Sequence, residues 1–175
     1  MGIDVAANRA KNEFVLVGYE KNFQWAGIVD YDEFDSIKNG KRVGYTYKTE
    51  RLRAFLMKHS DILHLIDGGF VDSAEDNYIK DLQAENLPIP IAPSYKATIK
   101  QRIDMMILLY NSQRLLTDVH CKPIFDAYQA STWTPGKEGK EREDNNLPMN
   151  DRMDATEYAL TRHMNKLLRA VKGGQ

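Results

Sequence analysis

The sequence predicts an α/β fold in which a central mixed β-sheet, an antiparallel meander plus parallel strands, is flanked by α-helices. Two observations lead to this prediction. The first third of the chain contains short segments rich in β-branched and aromatic residues, joined by polar turns, as in an antiparallel meander. Beyond it, apolar segments of strand length alternate with helical repeats, and parallel strands need such helical crossovers between them.

The first elements follow from these patterns. The strands of the meander are predicted at residues 3–6, 14–19 and 23–29. From Thr49 the apolar residues recur at helical spacing, and the apolar segment at 68–72 then predicts a fourth strand. Ser73 and Asp76 resemble a capping box, which places the start of the next helix at Ser73.

The second half predicts further short strands and helices. Thr98 and Gln101 form a capping box ahead of an amphipathic helix, and apolar residues at helical spacing share one face of a last helix that begins near Asn150. The short elements are an extended segment at 89–92, a strand at 115–116 and a helix at 123–130. Residues 131–149 differ, because prolines, glycines and a charged run predict an exposed mobile loop or hairpin.

The composition is that of a folded protein without a membrane span. The chain has 175 residues, 42% of them hydrophobic, which suits one domain over 1–175. No apolar run approaches the roughly 18 residues of a membrane helix, and no signal-peptide pattern is present. The single cysteine, Cys121, excludes an internal disulfide and favours a reducing, cytoplasmic setting. Near-equal numbers of basic and acidic residues, 24 and 25, argue against a purely electrostatic nucleic-acid binder.

Carboxylates at the ends of predicted elements are the candidate functional residues. Asp4 interrupts an apolar strand, where a charge is costly unless it is paired or bound to a metal. Asp72 ends another apolar strand, and Asp151 and Asp154 lie three residues apart on the last helix, beside its apolar stripe. Asp4, Asp72 and Asp154 can therefore converge at one edge of the sheet.

Converging carboxylates suit hard divalent ions such as Mg²⁺ or Mn²⁺, which take oxygen ligands. Two such ions roughly 3.5–4 Å apart can activate a water molecule and stabilise the leaving oxygen of a phosphodiester. That chemistry needs neither histidine nor cysteine, and the four histidines are too scattered for a zinc motif. A plainer role stays open for each carboxylate, since Asp72 and Asp151 can also cap the helices near them.

Three motifs occur in order along the chain. They are Gly2-Ile3-Asp4-Val5-Ala6, Val71-Asp72-Ser73-Ala74-Glu75 and Asp151-Arg152-Met153-Asp154-Ala155-Thr156-Glu157-Tyr158. Together with Lys96 ahead of the helix predicted at Thr98, they make essentially the whole chain resemble the nuclease domain of the large terminase subunit of tailed double-stranded-DNA bacteriophages.

This resemblance implies an RNase H-like fold and a metal-dependent endonuclease that cleaves concatemeric double-stranded DNA during genome packaging. It implies that Asp4, Asp72 and Asp154 are catalytic and bind two divalent ions, Mg²⁺ or Mn²⁺, with Asp151 as an accessory ligand. It also implies the small terminase subunit and the portal protein as partners. The implied location is the cytoplasm of the infected bacterial host, with no secretion and no membrane partner.

Two features bear on how far the family pattern extends. A complete large terminase also carries an ATPase motor with a Gly-x-x-x-x-Gly-Lys-Ser/Thr loop, which this sequence lacks. We therefore expect a separated C-terminal domain or a stand-alone nuclease, without ATP hydrolysis. Glu33, expected just after the third strand, is a further ligand candidate, although a solvated edge is the favoured interpretation of that acidic run.

Basic residues in three groups are candidates for contacts with DNA phosphates. The predicted DNA-binding residues are Lys96, Lys100, Lys137, Lys140 and Arg142, accompanied by Arg102 and by Arg162, Lys166 and Arg169 of the last helix. Each group alone also fits a solvated face. Phosphate contacts carry no sequence information, which suits a nuclease that cuts most sequences.

Two other functions stay compatible with the sequence. One is an RNase H-like resolvase that cuts branched DNA junctions. The other is a non-catalytic module that docks DNA or a portal-like assembly, its acidic residues being structural.

Overall fold

The computed structural model describes residues 1–5, 11–38, 41–132, 134–137, 142 and 148–173. Within them, a six-stranded sheet has the order β7-β6-β1-β2-β3-β8, and β4 and β5 form a separate hairpin. The strands are β1 (Gly2–Asp4), β2 (Lys11–Tyr19), β3 (Ala26–Asp35), β4 (Ile37–Lys38), β5 (Lys41–Arg42), β6 (Gly69–Val71), β7 (Ile91–Pro93) and β8 (Leu115–Thr117).

Helices cover both faces of this sheet. They are α1 (Tyr45–Lys58), α2 (Asp76–Ala84), α3 (Ile99–Asn111), α4 (Lys122–Ala130), α5 (Pro148–Thr161) and α6 (Met164–Gly173). No helix in the described ranges is long and apolar enough to cross a membrane.

The sheet is mixed, as predicted. β1, β2 and β3 are antiparallel neighbours, whereas β6 runs parallel to β1, β7 parallel to β6 and β8 parallel to β3. The parallel pairs are joined through helices, which their direction requires. The capping box at Thr98 is confirmed, because its hydroxyl accepts from the Gln101 N–H while the Gln101 side chain accepts from the Thr98 N–H.

The strand β2 separates two hydrophobic cores because its side chains alternate between the sheet faces. Phe14 and Leu16 pack on the side of α1 and α2, and Val15 and Val17 pack on the side of α3, α4, α5 and α6. The helical residues of the first core are Leu52, Phe55, Leu56, Tyr78, Ile79 and Leu82. Those of the second include Met105, Leu109, Ile124, Ala155, Leu160 and Leu167.

The structure corrects the predicted third strand. β3 continues to Asp35 rather than ending at residue 29, so Glu33 lies within the strand instead of after it. The polar residues of this extension are compatible with a strand because they are paired. Asp32 accepts from Arg51, and the guanidinium of Arg152 contacts Glu33.

Two predicted helix boundaries are wrong. The helix after β6 begins at Asp76 behind Glu75, not at Ser73. There the Ala74 N–H bonds to Asp72 Oδ1 at 3.0 Å, a local turn that competes with a helix start.

The single last helix is in fact two, α5 and α6. The His163 N–H bonds back to Leu160 O, and the His163 ring packs against Tyr19 and bonds to Asp67. These tertiary contacts separate the two helices although one apolar face continues across both. The mobile segment predicted at 131–149 lies largely outside the described residues, and its last two residues already belong to α5.

A polar junction joins α1, β3 and the turn before α4. The buried carboxylate of Asp30 lies 2.6 Å from Lys58 Nζ, 2.8 Å from His59 Nε2 and 2.9 Å from His120 Nε2. The other ring nitrogen of His120 lies 2.7 Å from Asp118. Because one buried carboxylate faces three basic groups, this junction ties three elements together.

The junction predicts a pH-dependent stability. Hydrogen bonds to Asp118 and Asp30 raise the pKa of His120. A raised folded-state pKa gives stability that is present below the unfolded value of about 6.5 and is lost as the pH rises through the folded value. We expect the melting temperature of the wild type to fall more between about pH 6 and pH 8 than that of His120→Gln. Parallel profiles for the wild type and His120→Gln would contradict this, and His64→Gln, at an exposed position, is the control.

Candidate metal centre

Asp4 ends β1, and Asp72 directly follows β6, the parallel neighbour of β1. Gly2 pairs with Phe70 and Ile3 with Val71, so Asp4 and Asp72 occupy the next position of this register. Because the carboxyl ends of parallel strands meet at one edge of a sheet, the topology places both aspartates side by side. Asp4 is 3% exposed, and an aspartate is rarely so buried unless it is paired.

The helix α5 brings Asp154 to the same edge. It approaches β1 so closely that a Cβ on Gly2 would lie 1.7 Å from the carbonyl oxygen of Ala155. Glycine at position 2 therefore permits this approach. Asp154 directly precedes Ala155 in α5, which places it on the part of the helix that approaches β1.

Tyr158 of α5 contacts one of the three aspartates and is influenced by the charges of all three. Its hydroxyl donates to Asp72 Oδ2 at 2.9 Å. Burial raises the pKa of Tyr158, and the negative charges of Asp154, Asp4 and Asp72 raise it further. All three predicted ligands therefore act on one buried phenol, although they come from three different elements.

The donor set fits Mg²⁺ or Mn²⁺ by its chemistry, since carboxylate oxygens are the ligands that these ions prefer. Across the described ranges, no three His, Cys, Asp or Glu side chains are arranged to hold a metal ion. Asp72 is engaged by Tyr158 and the Ala74 N–H, and Asp154 by the guanidinium of Arg102 at 3.0 Å. A carboxylate offers about four lone-pair positions, so an ion shared by these aspartates could bind beside those contacts.

Asp151 and Glu33 belong, with Glu13, to a second acidic group that lies next to this edge. Asp4 pairs with Glu13 and Glu13 pairs with Glu33 across β1, β2 and β3, so their side chains share the face covered by α5. Asp151, itself 3% exposed, adds its charge to those acting on Glu13. Its role as an accessory ligand and the ligand role of Glu33 stay predictions.

Glu13 is a buried acid that the sequence interpretation missed. The pKa of Glu13 is raised to about 11, mainly by burial and secondly by the neighbouring Glu33. Glu13 is therefore a neutral acid at pH 7. Although burial opposes it, hydrogen bonds from Glu13, Lys11 and Arg152 lower the pKa of Glu33 to about 2. The pair therefore shares one negative charge, which the Arg152 guanidinium balances at 2.9 Å from Glu33. The sequence feature that could have identified Glu13 is its position directly before the apolar run of β2.

The predicted DNA-binding residues occupy different environments. Lys96, Lys100 and Lys137 are exposed, and Lys100 pairs with Asp104 at 2.6 Å. Lys140 lies outside the described residues. Arg142 is turned inward, its side chain only 8% exposed and bonded to Glu157, so this guanidinium is not presented to a phosphate.

Arg102 likewise departs from the basic group in which the sequence placed it. Its side chain is 12% exposed, and its guanidinium contacts Asp154 and Glu157. The arginines near the site are therefore internal counter-charges, whereas the exposed lysines can meet an external phosphate.

The sheet order and its helices define an RNase H-like α/β fold, and known structures bear this out. The nuclease domain of the large terminase of bacteriophage SPP1, solved with bound Mn, is similar over 92% of this chain and 84% of that chain, with a TM-score of 0.65 and 19% identity. The large terminase nuclease domain of bacteriophage P22 is similar over 97% of this chain and 84% of that chain, with a TM-score of 0.65 and 10% identity.

Part of a large terminase is similar as well. That of a thermophilic bacteriophage matches with a TM-score of 0.75 and 21% identity over 92% of this chain, which spans 38% of the thermophilic phage's chain. No protein-family model matches the sequence, and no curated protein is significantly similar to it. The resemblance predicted from the three motifs is confirmed: the chain has the fold of large terminase nuclease domains.

Proposed function

We propose that this chain is the metal-dependent endonuclease domain of a viral DNA-packaging terminase, and that it cleaves concatemeric double-stranded DNA. The observation that carries the proposal is the environment of Tyr158, whose hydroxyl donates to Asp72 and whose pKa is raised by burial and by the charges of Asp154, Asp4 and Asp72. The fold shared with terminase nuclease domains supports it, as does the Mn bound to the SPP1 domain. The cofactor would be two Mg²⁺ or Mn²⁺ ions.

The protein's own contribution would be to hold and orient the ligands. Asp4 and Asp72 would bind the ions from adjacent strand ends, and Asp154 would bind them from α5. The ions would supply an activated water and stabilisation of the leaving oxygen in phosphodiester hydrolysis. Tyr158 would fix the orientation of Asp72 through its 2.9 Å hydrogen bond.

The partners would follow from the same assignment. Exposed Lys96, Lys100 and Lys137 would contact the DNA backbone without reading its sequence. A motor elsewhere in the packaging assembly, the small terminase subunit and the portal protein would deliver the DNA, in the cytoplasm of the infected bacterium.

Binding of Mn²⁺ to the folded protein tests the metal centre directly. A ligand that binds only the folded state stabilises it by RT ln(1 + [L]/Kd), or about 2.7 kcal/mol at a hundredfold excess over Kd. We expect Mn²⁺ to raise the melting temperature of the wild type and Asp72→Asn to lose this rise. An unchanged wild-type melting temperature would contradict the proposal and favour a non-catalytic docking module.

The DNA substrate is tested by comparing linear duplex with a four-way junction. We expect cleavage of both without a strong preference, since a packaging nuclease must cut a duplex. A strong preference for the junction would instead identify a resolvase with the same fold.

A further inference from the structure

A buried ion network lies beside Asp154. Glu157 is fully buried, and the guanidiniums of Arg102 and Arg142 both contact it. Tyr128 adds a hydroxyl donor 3.3 Å from Glu157 Oε1. Burying a carboxylate costs several kcal/mol unless it is paired and hydrogen-bonded, so this network is a built feature rather than a surface accident.

Arg102 links this network to the candidate metal centre. Its Nη1 atom lies 3.0 Å from Asp154 Oδ1 and 3.1 Å from Glu157 Oε2. Its guanidinium carbon also lies 5.4 Å from the ring centroid of Tyr158, whose hydroxyl donates to Asp72. One planar cation therefore contacts Asp154 directly and reaches Asp72 through Tyr158.

Glu157 fixes the position of this cation. An arginine side chain has several rotatable bonds, and a single contact with Asp154 would leave its orientation open. The second carboxylate, fully buried on the next turn of α5, restricts the guanidinium to the place where it meets Asp154. A lysine could pair with both carboxylates through its one nitrogen, but it lacks the planar group that packs on the Tyr158 ring.

We propose that Arg102 is a positioning residue that, held by Glu157, orients Asp154 for metal binding. This inference rests on the proposed nuclease function, because it assigns Asp154 to the metal centre. Groups that orient metal ligands typically account for 10–100-fold in metal affinity or activity.

A second role for Arg102, simple neutralisation of the acidic edge, makes the opposite prediction. Removing a positive charge next to a cation site would by itself strengthen metal binding. Loss of orientation would weaken it. The direction of the change in Mn²⁺ affinity therefore separates the two roles.

The test uses the purified full chain with Mn²⁺ alone as the probe. The Mn²⁺ concentration at the midpoint of the rise in melting temperature is measured for the wild type, Arg102→Gln and Arg102→Lys. Cleavage of plasmid DNA against Mn²⁺ concentration gives the same midpoint independently. The matched control is Arg53→Gln, which removes a partly exposed arginine that pairs with Glu85 on the α1 side of the sheet.

We expect Arg102→Gln to raise both midpoints by on the order of tenfold or more. Arg102→Lys should lie between it and the wild type, and Arg53→Gln should match the wild type. An unchanged or lowered midpoint in Arg102→Gln would overturn the inference. If Arg102→Gln does not fold, Arg102→Lys decides, since its charge is unchanged and a shift of its midpoint therefore does not come from lost neutralisation. A wild type without any response to Mn²⁺ would overturn the proposed function, whereas a responsive wild type with an unaffected Arg102→Gln would overturn only the positioning role.

Discussion

Replacing Asp4 by asparagine should abolish Mn²⁺-dependent cleavage of plasmid DNA while leaving the fold intact. Asp4 contributes a carboxylate from the edge of the sheet, and an amide of the same size is a poor ligand for a hard cation. Its removal also relieves repulsion among the carboxylates that surround Tyr158. We therefore expect the melting temperature without metal to stay equal or to rise.

The matched control for this variant is Asp126→Asn. Asp126 is an exposed aspartate of α4 that pairs with Lys122 at 2.5 Å, and its loss should leave cleavage unchanged. Wild-type cleavage by purified Asp4→Asn would refute the metal centre. A large drop in the melting temperature of Asp4→Asn without metal would show instead that the carboxylate is structural.

The sequence predicted the fold because its signals are local. The β-branched segment of β2 and the capping box at Thr98 depend on neighbours a few residues away, and both elements formed as expected. Asp4 was identifiable for the same reason, since a charge inside an apolar strand is visible in the sequence alone. Its placement next to Asp72 then followed from the parallel pairing of β1 and β6.

The contacts that the sequence did not predict are long-range. Arg102 meets Asp154 across 52 positions of the chain, and nothing near Arg102 distinguishes it from the exposed lysine at position 100. In the sequence, Glu157 resembles any other polar position of a helix. Its pairing with Arg102 becomes evident only once α3 packs against α5. Tertiary contacts also explain why α5 ends at Thr161 although the apolar face continues into α6. His163 packs against Tyr19 just beyond that end, and this contact interrupts the helix.

The close approach of α5 to β1 gives the largest expected effect on stability. In Gly2→Ala the new Cβ would lie 1.7 Å from Ala155 O and 2.9 Å from the backbone nitrogen of Ala159, atoms that no side-chain rotation can move. Relief requires α5 to shift away from the sheet. We expect a loss of about 3 kcal/mol, the upper end of the usual cost of overpacking, and a fall in melting temperature of roughly 6–12 °C.

Gly27→Ala is the control for this effect, because a Cβ at position 27 would meet no atom within 4 Å. It should change stability by no more than about 0.5 kcal/mol. The helix α5 carries Asp154, so its displacement in Gly2→Ala should also weaken Mn²⁺ binding. The rise in melting temperature on adding Mn²⁺ should therefore be smaller than in the wild type. A Gly2→Ala protein that is as stable as Gly27→Ala would show that the helix does not rest on β1. One that is destabilised but binds Mn²⁺ like the wild type would show that the position of Asp154 does not control the metal centre.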